Sequence, residues 1–277
     1  MNDKVACRYL ILLLIGNKNS IIYKFINIKI NSNQTFCVFL FLRFDLDDSL
    51  LIIPGRQKME IEVIENIMQY NKDEAELNRI FFQKNKTLVI NLLSAPGAGK
   101  TSLIIETIRR LEPEIKIGVI EGDISSTHDA QKIKKLINEV VQINTGGTCH
   151  LNASMVSHAL KKLDISKIDI LFIENVGNLI CPVGFDLGED FKIVISSVSE
   201  GDDKPVKYPK IFIKANLVLL NKIDMLDSSD FSMVFFKKKV MELNNSINIL
   251  KLSCKTGEGF EDWTSWLKNQ FKEKAGN

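Results

Sequence analysis

A cysteine and a histidine stand side by side in "NTGGTCHLNA" (Asn144 to Ala153), and a second cysteine follows in "NLICPVGFDLGE" (Asn178 to Glu189). Thiolate sulfur and imidazole nitrogen are donors that suit Zn²⁺ or Ni²⁺, so Cys149, His150 and Cys181 can form a metal site. Three ligands leave it incomplete. A water, or the same residues of a second subunit about a two-fold axis, would complete it. The plainer alternative is that Cys149 is a small buried hydrophobe, as free cysteines often are. His128 and His158 have no partner near them in sequence and read as surface or helix-face residues.

"SAPGAGKTS" (Ser94 to Ser102) lies between an apolar run and a helix-like run, the context of a phosphate-binding loop. Gly97, Ala98 and Gly99 let the backbone turn its N–H groups toward phosphate oxygens, and the helix that follows through Ser102 presents its positive end. Lys100 then neutralises the β and γ phosphates, and the Thr101 hydroxyl ligates Mg²⁺. The first glycine of the usual G-x-x-x-x-G-K-[ST] pattern is replaced by Ser94. "NKID" follows a later apolar run: Asp224 can accept from the N1–H and N2–H₂ edge of guanine, Lys222 can lie over the purine, and Asn221 can brace the loop. "SCKTGEG" comes one strand further on and reads as the base loop, with Ser253, Cys254 and Lys255 contacting nucleotide and Cys254 serving as a packing residue. The nucleotide expected is therefore GTP or GDP.

Two further strand ends are acidic. "EGDISSTHDA" carries Glu121 and Asp123, and "ENVGN" carries Glu174 and Gly177. Asp123 is the expected Mg²⁺ carboxylate, direct or through water, and the Gly177 N–H is expected to meet the γ-phosphate, a contact made with GTP and lost with GDP. Alternatively Asp123 and Glu174 are helix N-caps, and Asp129 reads as a cap or first-turn charge. Lys100, Asp123 and Gly177 are thus the residues expected to carry hydrolysis. The arginines are Arg8, Arg43, Arg56, Arg79, Arg109 and Arg110, none of them in these segments. An arginine finger is worth about 10³ to 10⁵ in rate where one exists, so turnover in isolation should be slow.

These residues need a scaffold that brings distant segments together. From Met59 onward, helix-like stretches alternate with short apolar runs such as "TLVINLLS", "IKIGVIEG", "DILFIENV", "FKIVISSV", "NLVLLNKI" and "INILKLS". Continuous apolar runs of this length are strands buried on both faces. The pattern predicts an α/β fold, a mostly parallel sheet with helices on both faces, with ligands bound beyond the strands' carboxyl ends. Ahead of the first strand it predicts two helices, one with Ile61, Ile64, Ile67 and Met68 at helical spacing and a second running into Asn85.

The 277 residues carry 36 basic and 34 acidic side chains, a net charge of +2, which gives no field that would favour nucleic acid or an anionic membrane. Five scattered cysteines are unlike a disulfide framework and indicate a reducing cytoplasm. Residues 1–58 differ from the rest, an atypical extension ahead of a 59–277 domain. Their apolar runs "YLILLLIG" and "CVFLFLRF" fall short of the roughly 18 residues of a membrane span. Lys4 and Arg8 resemble the start of an export signal, but Asn17-Lys18-Asn19 stands where a small-residue cleavage site belongs. Translation starting at Met59 is the simpler expectation, and a native mass that includes residues 1–58 would exclude it.

The ordered set "SAPGAGKTS", "VIEGD", "NTGGTCHLNASMV", "FIENVGNLICPVGFDLGE", "SEGDDKPVKYPKIF", "NKIDMLD" and "SCKTGEG" resembles the hydrogenase nickel-incorporation GTPases, the HypB family, over Met59 to about Lys272. The resemblance implies a P-loop GTPase of the SIMIBI class, GTP-dependent homodimerisation, and nickel delivery to the [NiFe]-hydrogenase large subunit with a zinc-containing HypA-type partner. It implies metal ligation by Cys149, His150 and Cys181, and nucleotide binding by Gly97, Gly99, Lys100, Thr101, Asp123, Asn221 and Asp224. Some relatives carry an N-terminal cysteine cluster or histidine tract. Here only Cys7 and Cys37 precede the domain, without histidine, so nickel storage by this chain is not expected. "CPV" stands where the family often has "CPA". The urease accessory GTPases share the implied fold, but their Cys-Pro-His motif is absent, since Val183 follows Pro182.

Overall fold

The computed structural model describes residues 8–14, 21–31, 34–42, 56–124 and 127–276, with side chains described from residue 67 onward. The chain divides into two units, Met1–Ile61 and Glu62–Asn277. In the first, β1 (Arg8–Leu14), β2 (Ile21–Asn31) and β3 (Gln34–Leu42) form an antiparallel sheet in that order. Cys7 and the side chain of Cys37 lie outside the described residues. The composition break at Met59 falls inside α1 (Arg56–Lys84). That helix corrects the two-helix expectation: its sequence contains neither proline nor glycine, so nothing interrupts the ladder.

The second unit holds a seven-stranded sheet of β4 (Leu88–Ser94), β5 (Ile117–Asp123), β6 (Val140–Asn144), β7 (Ile170–Glu174), β8 (Phe191–Ser197), β9 (Leu217–Asn221) and β10 (Asn248–Lys251). The order is β10-β9-β8-β4-β7-β5-β6, and every pairing is parallel. Helices α2 (Lys100–Leu111), α3 (His128–Lys134), α4 (Ala153–Leu160), α5 (Lys204–Lys207), α6 (Pro209–Lys214), α7 (Met233–Leu243) and α8 (Phe260–Gly276) connect or follow the strands.

Alternation along β4 shows why the strands read as unbroken apolar runs. Leu88, Ile90 and Leu92 point to a core completed by Leu103, Ile104 and Ile108 of α2 and by Trp263 and Leu267 of α8. Val89 points the other way, to Val156 and Leu160 of α4, and Leu93 joins Phe212 and Phe236 of α6 and α7. Each fully buried Leu or Ile contributes about 1.5–3 kcal/mol relative to exposure. Trp263 is fully buried, and its indole Nε1 donates to Thr107 Oγ1 at 2.9 Å, so the ring is held without an unpaired donor. Because β4 is central and β7 and β8 flank it, the chain reverses direction across the sheet at the carboxyl end of β4, where the candidate site lies. Among the described residues no helix is long and apolar enough to cross a membrane.

Candidate functional site

Strand β4 ends at Ser94 and α2 begins at Lys100, so the intervening loop must turn sharply. Gly97 and Gly99 supply φ values of +79° and +104°, a region where a side chain is strained. Gly99 has a second reason to be glycine, since a Cβ there would overlap the Asn221 amide. Ser94 takes up the role its odd place in the pattern leaves open: its hydroxyl accepts from Lys100 Nζ at 2.8 Å. Burial lowers the Lys100 pKa from its ordinary value, while Glu174, Glu200, Glu121 and Asp129 oppose that shift. The loop borders a cavity of about 550 Å³ whose lining includes Gly97, Gly99, Lys100, Thr101, Ser102, Asp123 and Gly177. Gly177 sits against the loop, where a Cβ would come within 3.0 Å of the Pro96 ring.

The opposite wall is acidic. Parallel register sets Glu121 of β5 directly beside Glu174 of β7, both buried. The Thr101 hydroxyl lies 2.9 Å from Glu174 Oε1 and 3.1 Å from Asp129 Oδ2, one proton between two acceptors. Burial, then the Glu174 charge, push the Glu121 carboxyl up to about 8. Burial raises Glu174 to about 7 against the pull of Lys100 and the Thr101 hydrogen bond. Burial also acts to raise Asp129, yet hydrogen bonds from Lys132 and Thr101 hold it below its ordinary value.

Glu121 Oε2 and Glu174 Oε2 are buried without a hydrogen-bond partner. Such orphaned oxygens beside a threonine hydroxyl are hard donors of the kind Mg²⁺ takes, so the residues fit that ion. Asp123 lines the same cavity, but the contacts to Thr101 come from Glu174 and Asp129. The N-cap alternatives fail for both strand-end acids, because Thr127 caps α3 and no α-helix starts at Glu174. Glu121 and Asp129 were not assigned to the ion from sequence. Glu121 is brought to the cavity by its register with Glu174, and Asp129 by its contact with Thr101.

Protonation should set metal affinity here. A cation held here would bind the ionised carboxylates, so the proton would compete below their raised pKa values, and apparent Mg²⁺ affinity is expected to rise from pH 6 to 8.5. Without metal the sign of stability is the reverse. The folded state holds protons that the unfolded state has released above its ordinary carboxylate pKa, so stability falls as pH rises toward about 8 and levels off beyond. Denaturant melts across that range, with and without Mg²⁺, check both slopes.

The residues expected to meet the base lie in loops that touch one another. Asn221 ends β9, and its Nδ2 donates to Ala98 O at 2.9 Å while its Oδ1 accepts from Lys222 N at 2.7 Å and Cys254 N at 3.2 Å. Lys222, at φ +60°, turns its ammonium to Gly97 O at 2.8 Å and to Ser199 Oγ at 3.0 Å, a partner the motif did not reveal. Ser253 Oγ donates to Asp224 Oδ1 at 2.6 Å and accepts from Lys255 N at 3.2 Å. Burial pushes the Cys254 thiol up to about 12, so it stays a neutral packing group.

The three metal-type residues converge although strand β6 stops at Asn144, well before Cys149. Gly146 and Gly147, at φ +60° and +105°, break the strand, and Thr145 Oγ1 donates to Thr148 O at 2.6 Å to close the turn. The ligand atoms of Cys149, His150 and Cys181 all lie within 4.8 Å of one another, and Cys149 Sγ is 3.9 Å from His150 Nδ1. Asn178 Oδ1 accepts from Ile180 N at 2.8 Å and Cys181 N at 3.3 Å, fixing the second loop. Phe185 stacks on the His150 ring with centroids 3.8 Å apart, a contact no spacing rule suggested. Burial lowers the His150 pKa, favouring the neutral imidazole that ligates metals. A hydrogen bond with Cys181, then burial, raise the Cys149 thiol above its ordinary value. His128 begins α3, and His158 lies exposed on α4 with Nδ1 2.8 Å from Ser154 O.

Known proteins share this sequence and fold. The nucleotide-binding domain of the CobW/HypB/UreG family matches residues 88–251. Hydrogenase maturation factor HypB of Escherichia coli (strain K12) is 44% identical over 220 residues, 78% of this chain and 75% of that one. The probable hydrogenase maturation factor HypB of Methanocaldococcus jannaschii is 39% identical over 213 residues, 77% of this chain and 96% of its own. Among solved structures, HypB from Archaeoglobus fulgidus superposes with a TM-score of 0.69 at 41% identity, covering 73% of this chain and 99% of that one. HypB from Helicobacter pylori in complex with nickel superposes at 0.71 with 35% identity, covering 74% and 96%. Sequence and fold therefore agree, and the chain belongs to the CobW/HypB/UreG family of P-loop GTPases, on its HypB hydrogenase maturation branch.

Proposed function

We propose that this protein is a GTP-hydrolysing nickel chaperone that helps insert nickel into the [NiFe]-hydrogenase large subunit. The observation that carries the reading is the convergence of Cys149, His150 and Cys181 within 4.8 Å in a chain whose phosphate loop and acidic wall line one cavity, with Asn221 and Lys222 hydrogen-bonded to that loop. A HypB of similar fold in complex with nickel supports Ni²⁺ as the cargo, and Zn²⁺ is the competing ion for the same donors. In the proposed cycle the loop N–H groups and Lys100 hold the β and γ phosphates, and Asp224 reads guanine. Thr101 and the surrounding carboxylates would hold Mg²⁺, which would supply charge neutralisation for phosphoryl transfer. Gly177 meets the γ-phosphate only in the GTP state.

Two subunits then associate, and the metal ligands shift their arrangement until hydrolysis releases it. The partners proposed are a second copy, a HypA-type nickel-binding protein and, transiently, the hydrogenase large subunit. The scattered cysteines support a cytoplasmic setting for this work. With no arginine after Arg110, rate enhancement is assigned to dimerisation, K⁺, a lysine or a partner.

Reciprocity requires metal and nucleotide to affect each other by one coupling free energy. Light scattering and Ni²⁺ titration of the full chain, with GDP and with a non-hydrolysable GTP analogue, test the cycle. A dimer confined to the analogue and nickel affinities differing by about 5- to 150-fold are expected. Equal affinity in both states would remove the switch. Intact nickel binding with no measurable GTP turnover would favour a metal-binding scaffold with a structural nucleotide.

A further inference from the structure

We infer that Asn175 is the positioning residue that couples the nucleotide cavity to the nickel site, acting through the backbone of Leu151. The inference rests on the nucleotide-switched reading above and names the contact that would carry it.

Asn175 lies between Glu174, which meets Thr101, and Gly177, which lines the cavity against the phosphate loop. Its side chain is buried, and its Oδ1 accepts two backbone hydrogen bonds, from Val176 N at 3.0 Å and from Leu151 N at 3.1 Å. Val176 leads into the γ-phosphate segment, and Leu151 directly follows His150. One carbonyl oxygen thus ties the loop that senses nucleotide to the loop that holds two metal ligands. The amide cannot turn over freely, because its Nδ2 donates to Asn91 Oδ1 of β4 at 3.2 Å, and Asn91 in turn donates to Glu189 Oε1 at 3.1 Å.

Leu151 is gripped from a second side. Its side chain is fully buried against Gly122, where an added Cβ would come within 2.8 Å of it. Gly122 stands between Glu121 and Asp123 of the acidic wall. Leu151 therefore rests on both strand ends that line the cavity. A packed, fully hydrogen-bonded link of this kind passes a displacement on, since neither loop can move alone without orphaning a buried N–H. When Gly177 is drawn to a γ-phosphate, the Asn175 carboxamide moves with it, and the Leu151 amide follows.

The test is the ratio of nickel affinities of the full chain with the GTP analogue and with GDP, read from the thiolate-to-nickel charge-transfer absorbance. The wild-type ratio should depart from one by about 5- to 150-fold, and Asn175→Ala should bring it close to one while nickel still binds in the GDP state. Asn78→Ala is the control for general loosening: it removes two buried hydrogen bonds, to Ala153 O at 2.9 Å and Leu187 O at 3.1 Å, and should keep the ratio. Should Asn175→Ala not fold, Asn91→Ala reads the same link by freeing the Asn175 amide, and a smaller ratio is expected. An unchanged ratio in the Asn175 or Asn91 variant overturns the inference, as does an equal loss in Asn78→Ala. A wild-type ratio of one instead overturns the switch reading on which it rests.

Discussion

Replacing Lys100 by alanine is expected to lower kcat/KM for GTP hydrolysis by about 10³-fold, the upper range for removal of one donor aimed at developing charge. The expectation follows from placement. Lys100 is buried at the start of α2, and its ammonium is fixed 2.8 Å from Ser94 Oγ at the edge of the cavity. A cation so held needs no reorganisation when charge builds on the phosphoryl oxygens, and the low local dielectric leaves it poorly screened. No arginine lies downstream of Arg110 to replace it within the chain. Single-turnover phosphate release at saturating Mg²⁺ measures the effect, and circular dichroism shows whether the variant folds. GTP affinity should fall more than GDP affinity, because the γ-phosphate is the charge lost in GDP. Turnover within about tenfold of wild type would show that the barrier is lowered elsewhere.

Nickel affinity should fall at least about 100-fold in Cys149→Ala, since merely disturbing a group that orients a metal ligand costs about 10- to 100-fold. Cys181→Ala should match it. The two effects should not add, because the three ligand atoms share one 4.8 Å cluster and the first loss already dismantles it. GTP hydrolysis by the isolated subunit should persist in both variants, since the nucleotide cavity is lined by other residues. Competition with a chromogenic chelator gives the affinities. Full nickel binding by the double variant would move the metal to other ligands, and Phe185, stacked on His150, would then be only a packing residue.

Much of the fold was legible because its signals are local. Apolar runs mark strands buried on both faces, and β4, β5, β7, β8, β9 and β10 fall on the runs read from sequence. Local pattern misled at α1, where two helices were expected and the backbone runs as one. The motif residues were legible as types, but Ser94 gained its purpose only when Lys100 was seen to donate to it.

The acidic wall was the least legible part. By itself the sequence determined the positive-φ glycines of the phosphate loop, the adjacency of Cys149 and His150, and the run of base-loop motifs, all properties of neighbours along the chain. Tertiary structure decided that Glu121 stands beside Glu174, that Asp129 and Glu174 share the Thr101 hydroxyl, and that Asn175 meets Leu151. Those pairings depend on which strand lies beside which and in what register. Strand order and register come from the hydrogen-bond ladder and from burying both faces of the whole sheet, sums over many distant residues that no short stretch of sequence contains.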